Sequence, residues 1–404
     1  MSSLKGIFSI AGWTLLGQVA YLAVIPIIAR LYPEASIARF GSFMAIVGII
    51  APASCLRIPS ILPVVANHLV TSSSRLALTS LTLVSALAYW ATATGILSFT
   101  HINGGSYDAF FMFLILFSNG LWQILSGVST RYRQFNEIGL SKATQGIVTA
   151  ICQILAAGAS LKSMGLLIGD ATGKASSLIA LRTGVRVFFA PTNFGVTDAA
   201  KKHFHLITKG TLASLCSGFA LQSLPIVFIA IWSAEAAASV FLVQMALRAP
   251  AGIMSQSISK VFVSDYSLCN STDSKKILQR NYLVNMIKVG ALPALVLFLF
   301  APSLITSALG DNFHSSSLLV RPLLVSTISL VASSSLSQML ILNNRPGLQL
   351  AWDAARAISL VLLFSACKLW ELEINGAIWL FALLMAIFDI AHLVISRITT
   401  PTIE

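Results

Sequence analysis

The chain has 404 residues, of which 56% are apolar and only 10% are charged. Soluble domains carry about a quarter charged residues, so this composition excludes an ordinary soluble globular protein. Lysine and arginine number 26 against 14 acids, a net charge of +12 that could also suit a nucleic-acid-binding protein. The charges lie between long apolar runs, however, which favours a membrane protein with no nucleic-acid partner.

About a dozen apolar segments are long enough to cross a bilayer, which takes roughly 20 residues per helix. They are residues 7–30, 41–65, 76–98, 109–129, 144–161, 164–181, 210–232, 237–258, 282–309, 318–342, 350–367 and 376–396. The pattern predicts an all-α polytopic membrane protein of about 12 transmembrane helices. The first segment is too long for the apolar region of a signal peptide, so we interpret it as the first transmembrane helix.

The basic residues between these segments are unevenly distributed. If the N-terminus is cytoplasmic, 16 of them face the cytoplasm and 4 face the outside. The inner set is Lys5, Arg75, Arg131, Arg133, Lys142, Arg182, Arg186, Lys201, Lys202, Lys209, Lys260, Lys275, Lys276, Arg280, Arg345 and Arg397, and the outer set is Arg30, Arg39, Lys162 and Lys368. Positive charge is retained on the cytoplasmic side, which predicts that both termini are cytoplasmic.

Two hydrophilic connections, 182–209 and 259–281, are longer than the others and basic. Both fall on the predicted cytoplasmic side. We therefore expect them to lie against the anionic headgroups of membrane lipids.

A short pattern recurs at an offset of 201, half the length of the chain. Its members are Ala29, Glu34, Ala35 and Phe40, which return as Ala230, Glu235, Ala236 and Phe241. Both copies fall at a predicted outer turn, the first between spans 1 and 2 and the second between spans 7 and 8. An even number of spans returns the chain to the same side, so the pattern predicts two six-helix bundles related by duplication, residues 1–200 and 201–404.

Nine ionisable residues lie inside the predicted spans, where a charge that faces lipid costs about 3 kcal/mol. They are Arg57, Asp170, Lys174, Arg248, Lys288, Arg321, Asp353, Arg356 and Asp389. Lys288 and Arg321 lie near span ends, so their long side chains are expected to reach the headgroups.

Two of the acids have a base one helical turn away. Lys174 follows Asp170 by four residues, and Arg356 follows Asp353 by three. Such pairs can neutralise themselves on one helix face, which leaves a structural ion pair and a ligand site both open.

Arg57 and Arg248 are the candidates for binding an anion. Each is predicted inside a span, and Arg248 has no acid nearby in the sequence. A guanidinium matches phosphate oxygens bidentately, so an anionic headgroup would suit both. The alternative is that they pair with a remote acid such as Asp389.

No catalytic residues, metal ligands or cofactor are predicted. The sequence contains no nucleophile paired with a base, no metal-ligand cluster and no carboxylate pair at catalytic spacing. The run from Gly169 to Lys174 resembles a phosphate-binding loop but has three residues between its glycines and Ala175 after the lysine, where a Walker motif needs four and Ser or Thr.

Several short motifs, in order along the chain, resemble the polysaccharide flippases (Wzx type) of the multidrug/oligosaccharidyl-lipid/polysaccharide exporter (MOP) superfamily. They are Arg30-Leu31-Tyr32-Pro33 with Phe40-Gly41, Leu56-Arg57 with Pro63, Gly165-Leu166-Leu167-Ile168-Gly169-Asp170, Leu224-Pro225, Arg248-Ala249-Pro250 with Gln256-Ser257-Ile258-Ser259-Lys260-Val261-Phe262, and Leu350-Ala351-Trp352-Asp353. This chain has Ile58 and Pro59 where many relatives have an aromatic residue and an acid.

The resemblance implies a bacterial inner-membrane transporter that works by alternating access. Its cargo would be an undecaprenyl-pyrophosphate-linked oligosaccharide, an O-antigen or capsular repeat unit, and its partner proteins a polysaccharide polymerase and a chain-length regulator. The basic residues implied to hold the cargo are Arg57, Arg248, Lys174 and Arg356, and the acids implied as candidates for ion coupling are Asp170, Asp353 and Asp389.

Two other functions are weighed against the flippase. A drug or cation antiporter of the same superfamily needs carboxylates, but residues 7–31 contain no acid. A membrane glycan polymerase or ligase usually needs a large external loop, whereas every predicted outer connection here is short.

Overall fold

The computed structural model describes nearly all of the chain. The described residues are 2–63, 65–97, 105–159, 161–191, 195–268, 271–309, 316–334, 339–342 and 345–398. They are predominantly α-helical and contain no strand, which confirms the predicted all-α class.

The helices are joined mostly by short connections. In chain order they are α1 (Ser2–Leu31), α2 (Glu34–Ser54), α3 (Val70–Ala93), α4 (Ser106–Arg131), α5 (Phe135–Gly158), α6 (Lys162–Ser177), α7 (Arg182–Phe188), α8 (Val196–Lys202), α9 (Thr211–Gln222), α10 (Leu224–Ile231), α11 (Ala234–Leu268), α12 (Thr272–Leu309), α13 (Ser316–Ser334), α14 (Met339–Leu342), α15 (Pro346–Leu369) and α16 (Ile374–Ile398). Short 3₁₀ turns, Ile58–Ser60 and Asn67–Leu69, connect α2 to α3, and a π-helical turn, Leu206–Gly210, precedes α9.

Within the described ranges, six helices are long and apolar enough to cross a membrane by themselves. They are Glu34–Ser54, Asn67–Ala93, Ser106–Arg131, Phe135–Gly158, Pro346–Leu369 and Ile374–Ile398. The helices Ile207–Gln222 and Leu224–Ile231 are long and apolar enough together, with a bend of 54° between them, which fits either a broken span or a re-entrant loop. The bend lies just before Pro225, whose ring removes a backbone donor and favours the start of a new helix.

The predicted second span, 41–65, is wrong at its end, because α2 stops at Ser54. Leu56 and Arg57 adopt left-handed backbone conformations with φ of 53° and 57°, which side-chain-bearing residues rarely do. Ile58 then starts a 3₁₀ turn with Pro59 as its second residue, and proline disfavours α-helix at the residue before it. Arg57 therefore lies in a turn and not inside a continuous helix.

The helices α11 and α12 are longer than a bilayer requires. The 38 residues of α12 correspond to about 57 Å of helix, against a hydrocarbon core of about 30 Å. Together with α11, this helix takes up most of the predicted connection 259–281. The second long connection is thus largely helical.

The chain divides into two compact units, residues 1–238 and 239–404. The first unit includes α9 and α10 because α9 packs closely on α2. A Cβ at Gly218 of α9 would lie 2.8 Å from the Ile49 carbonyl oxygen, so glycine allows this approach. The division at residue 200 into duplicated halves stays a prediction, since the units reflect contacts and not sequence repetition.

The two copies of the repeated pattern occupy corresponding local positions. Glu34 is the first residue of α2, and Glu235 is the second residue of α11. An acid in the first turn of a helix interacts favourably with the unpaired backbone N–H groups there. Each copy therefore marks the start of a long helix.

The predicted connection 182–209 contains α7, α8 and the π-helical turn. The backbone N–H of Thr183, at the start of α7, donates to the Glu137 carboxylate of α5 at 3.1 Å. His203, after α8, lies 3.3 Å from the Ser73 hydroxyl of α3. Burial, with a smaller effect of Lys202, lowers the pKa of the His203 imidazole.

Close contact between α1 and α5 depends on a pair of facing glycines. A Cβ at Gly17 would lie 2.5 Å from the Lys142 carbonyl oxygen, and one at Gly146 would clash with the backbone of Gly17. In lipid, where the hydrophobic effect does not hold helices together, such close backbone contact supplies much of the attraction.

We expect Gly17→Ala to push α1 away from α5 and to destabilise the protein by about 1–3 kcal/mol, the usual effect of overpacking. Gly12→Ala, in the same helix but with no atom within 4 Å of the added Cβ, should be neutral. Thermal unfolding of the purified proteins in detergent compares the two. Equal unfolding temperatures for both variants would contradict this account of the interface.

Candidate functional site

Gly165, Gly169 and Gly173, spaced by four residues, form a glycine ridge on one face of α6 and bring this helix against α5. A Cβ at Gly165 would lie 2.8 Å from the Ala156 Cβ, and those at Gly169 and Gly173 would meet Gln153 and Thr149. Small residues on a helix surface allow such close packing. The ridge fixes the position of the charged residues on α6.

Asp170 and Lys174 form a buried ion pair on α6. The Lys174 Nζ lies 2.8 Å from the Asp170 Oδ2, and the two side chains are 9% and 7% exposed. The i, i+4 spacing allows this contact within one helix. The acid and the base are thus in contact within one helix, as their spacing predicts.

The surroundings of this pair come from α1 and α5. The Tyr32 hydroxyl donates to the Gln153 carbonyl oxygen at 2.7 Å, and the Gln153 amide donates to the Leu166 carbonyl oxygen at 3.3 Å. Because Tyr32 directly follows α1, these bonds tie the end of α1 to α5, and α5 to α6.

A larger cluster lies between α13, α15 and α16 in the second unit. On each helix the residues are spaced three or four apart, so they share one face. The members are Ser329 and Ser333 of α13, Gln349, Asp353 and Arg356 of α15, and Asp389 and His392 of α16. We call these seven residues the C-unit cluster. Its charged members are almost fully buried.

A chain of contacts runs through the C-unit cluster. The His392 Nε2 lies 3.3 Å from the Gln349 Oε1, and the Gln349 amide donates to the Asp353 Oδ2 at 2.7 Å. The Arg356 Nη2 donates to the Asp353 Oδ1 at 2.9 Å. Arg356 is therefore held first by the acid one turn away on its own helix.

Asp389 is linked to the same guanidinium more loosely. Its Oδ1 lies 3.9 Å from the Arg356 Nη1, beyond hydrogen-bond distance. The hydroxyls of Ser329 and Ser333 donate to its two oxygens at 2.7 and 2.9 Å. The charge of the buried Asp389 carboxylate is thus stabilised by two neutral hydroxyl donors and by a guanidinium beyond hydrogen-bond distance.

Arg57 is placed at the break after α2 and contacts α9. Its Nη1 donates to the Ser214 hydroxyl at 2.7 Å, and that hydroxyl donates in turn to the Gly210 carbonyl oxygen at 2.9 Å. Gly210 ends the π-helical turn. The guanidinium therefore joins two irregular segments of the first unit.

The other residues predicted inside spans are Arg248 on α11, Lys288 on α12 and Arg321 on α13. Arg248 is a partly buried residue of α11, and the side chains of its neighbours Ala249 and Pro250 lie outside the described residues. Lys288 and Arg321 are exposed, as expected for side chains that reach the headgroups. The structure brings Asp170 to Lys174, and Arg356 to Asp353 and Asp389. The roles assigned to all these residues stay predictions.

Several residues of these clusters were not singled out from the sequence. Gln349 and His392 lie one turn from Asp353 and Asp389, so extending each helix face by a turn would have found them. Arg39, predicted as an outer loop residue, pairs with the Asp108 Oδ2 at 2.5 Å. No local pattern signals that contact between α2 and α4.

Within the described residues, no group of three or more His, Cys, Asp or Glu side chains could hold a metal ion.

We expect Arg356→Met to destabilise the protein by about 3–5 kcal/mol, because it leaves Asp353 and Asp389 buried without the cation they share. Adding Asp389→Asn should restore part of the loss, since it removes one buried charge. Lys288→Met, at an exposed position, serves as the control. Unfolding of the detergent-solubilised protein by sodium dodecyl sulfate measures all three, and no loss in Arg356→Met would disprove the shared role of this guanidinium.

Sequence comparison does not identify a family: no protein-family model matches the chain, and no curated protein matches it. Solved structures do match. A MATE in complex with MaL6 is 15% identical with a TM-score of 0.67, over 98% of this chain and 96% of that one.

Two further structures give the same result. A MOP superfamily transporter from Pyrococcus furiosus, in which reverse polarity of the binding pocket suggests a different function, is 15% identical with a TM-score of 0.68 over 98% and 95% of the two chains. An inward-facing multidrug resistance MATE family transporter of the MOP superfamily is 14% identical with a TM-score of 0.64, over 94% of each chain. The protein is therefore a multi-pass membrane protein with the fold of these MOP superfamily transporters.

Proposed function

We propose that this protein is an ion-coupled secondary transporter that works by alternating access between the two sides of the membrane. Two features support the proposal: the fold is that of MOP superfamily transporters, and each compact unit contains buried carboxylates in its helices. Ionisable residues inside a membrane are costly and are typical of ion and substrate pathways.

The observation that carries the proposal is the position of Asp389. Its carboxylate is buried, yet its contact to the Arg356 guanidinium is 3.9 Å long. A proton or small cation that reached Asp389 would weaken this attraction, so its binding can alter how α16 packs against α15. The geometry is suited to coupling ion binding to helix movement.

Of the finer functions, drug or cation antiport has the better support from the comparisons. The structures with this fold include a multidrug resistance MATE family transporter. The sequence disfavours antiport because residues 7–31 of α1 contain no acid. Asp170 supplies a buried carboxylate on α6, and Gly165 of this helix lies close to the hydroxyl of Tyr32, the residue that follows α1.

Export of an undecaprenyl-pyrophosphate-linked oligosaccharide is the second candidate. Arg57 and Arg248 favour it, because guanidinium groups suit the phosphates of such a cargo. An anionic headgroup moving outward also gains about 2.3 kcal/mol per charge per 100 mV from the membrane potential. The polymerase and the chain-length regulator would then be partner proteins.

Asp389→Asn should abolish ion coupling with little change in shape. The amide oxygen can still accept from one serine hydroxyl, and the amide nitrogen can donate to the other. The assay uses liposomes that contain the purified protein and a trapped pH-sensitive dye. When the cationic dye ethidium is added outside, protons should leave liposomes that contain the wild-type protein. We expect at least a tenfold slower release from Asp389→Asn. The matched control, Asp198→Asn, changes an exposed acid of α8 and should behave as wild type. Wild-type coupling in Asp389→Asn would show that Asp389 is not the coupling residue.

A strain lacking the gene separates the two candidates. Export of lipid-linked glycan predicts that single repeat units accumulate, protected from an externally added sugar-modifying reagent, and that Arg248→Ala fails to restore export at normal protein abundance. Arg321→Ala, at an exposed position, should restore it. Mass spectrometry of the lipid-linked glycans measures each case. An unchanged glycan profile would exclude export of lipid-linked glycan and support antiport. Accumulation of repeat units that the external reagent can modify would indicate a polymerase or ligase.

A further inference from the structure

A basic surface lies on the segment that connects α6 to α9. Its five basic residues are exposed: Arg182 and Arg186 of α7, Lys201 and Lys202 of α8, and Lys209 just before α9. Asp198 is the one acid in residues 178–210 of the sequence, and it accepts the Gly195 backbone N–H at 3.0 Å. The surface therefore has a strong excess of positive charge.

Large apolar side chains are exposed beside these bases. Phe189 follows α7 and is 74% exposed, and Phe204 follows α8 and is 61% exposed. Ile179, just before α7, is 78% exposed. Such side chains next to lysine and arginine are typical of segments that lie in the interface of a membrane.

A single stretch of α3 brings the ends of α7 and α8 together. Thr71 donates to the Val187 carbonyl oxygen at 3.4 Å, and the Arg75 guanidinium donates to the Ala190 carbonyl oxygen at 3.1 Å. Ser73, between them on α3, contacts His203 at 3.3 Å. Residues 71–75 span about 6 Å of helix, so the two basic helices form one surface.

The chain connections place this surface at the edge of the membrane. It begins at the end of α6 and finishes at the start of α9, both of which correspond to predicted spans. Gly184 of α7 packs on the backbone of Leu125 in α4, where a Cβ would lie 2.7 Å from the carbonyl oxygen. The surface is thus held against the ends of spanning helices on the face that we predict to be cytoplasmic.

We propose that this surface binds the headgroups of acidic phospholipids in the adjacent leaflet. Arg182, Arg186, Lys201 and Lys202 contact the lipid phosphates, while Phe189 and Phe204 insert between the lipids. Charge complementarity identifies an anionic partner. The position of the segment between two predicted spans, with Ile179, Phe189 and Phe204 exposed beside the bases, identifies that partner as a lipid. The proposal is independent of which solute is transported.

Binding is measured on the full-length protein purified in detergent, by native mass spectrometry with added phosphatidylglycerol or phosphatidylcholine. We expect wild type to retain phosphatidylglycerol at least fivefold more than phosphatidylcholine. The variant Arg182→Gln with Arg186→Gln should lose most of this preference. The matched control, Arg30→Gln with Lys368→Gln, removes the same charge from exposed positions on the predicted outer side and should keep the preference.

A second variant guards against misfolding. Arg182→Lys with Arg186→Lys keeps the charge and should bind like wild type. Lipid binding is compared only among variants whose unfolding temperature equals that of wild type. Equal retention of the two lipids by wild type, or undiminished preference in the glutamine variant, would overturn the proposal. Tighter binding of polyglutamate than of phosphatidylglycerol would instead indicate an acidic protein partner and would also overturn it.

Discussion

The cost of leaving a polar group without a partner in hydrocarbon governs most of this structure. A helix satisfies its backbone groups internally, and that is why helices make up nearly all of the described chain. The same cost applies to charges. Asp170 and Asp353 each have a base one turn away on the same helix, so their neutralisation requires no second helix to be in place. Where the α2 helix breaks at Arg57, the guanidinium finds the Ser214 hydroxyl of another helix.

Glycine contacts take the place that hydrophobic burial has in soluble proteins. Lipid tails are as apolar as leucine, so helices associate through close packing. This protein brings backbones together at Gly17 and Gly146, along the glycine ridge of α6, and at Gly218 of α9. The result is a first unit in which the polar groups of α1, α5 and α6 are held in fixed positions. This packing also buries the pair of Asp170 and Lys174.

The charge clusters of the two units differ in a way that bears on transport. On α6 the acid and the base contact each other at 2.8 Å and share one helix. In the C-unit cluster, one guanidinium serves two carboxylates on different helices at 2.9 and 3.9 Å. A contact within one helix changes little when helices move, whereas a contact between helices reports their separation. This difference favours α15 and α16 as the elements through which an ion would act.

The sequence by itself determined the membrane class, the helical architecture and the ion pairs whose partners are one turn apart, because these depend on local composition and on the period of the helix. It also marked Arg57, but it did not predict that α2 ends before this residue. Only the tertiary structure decided that Arg57 contacts Ser214, 157 residues away, that Arg39 pairs with Asp108, and that Asp389 lies near Arg356. These contacts join different helices, and which faces of two helices meet depends on packing along their whole length, which no local pattern encodes.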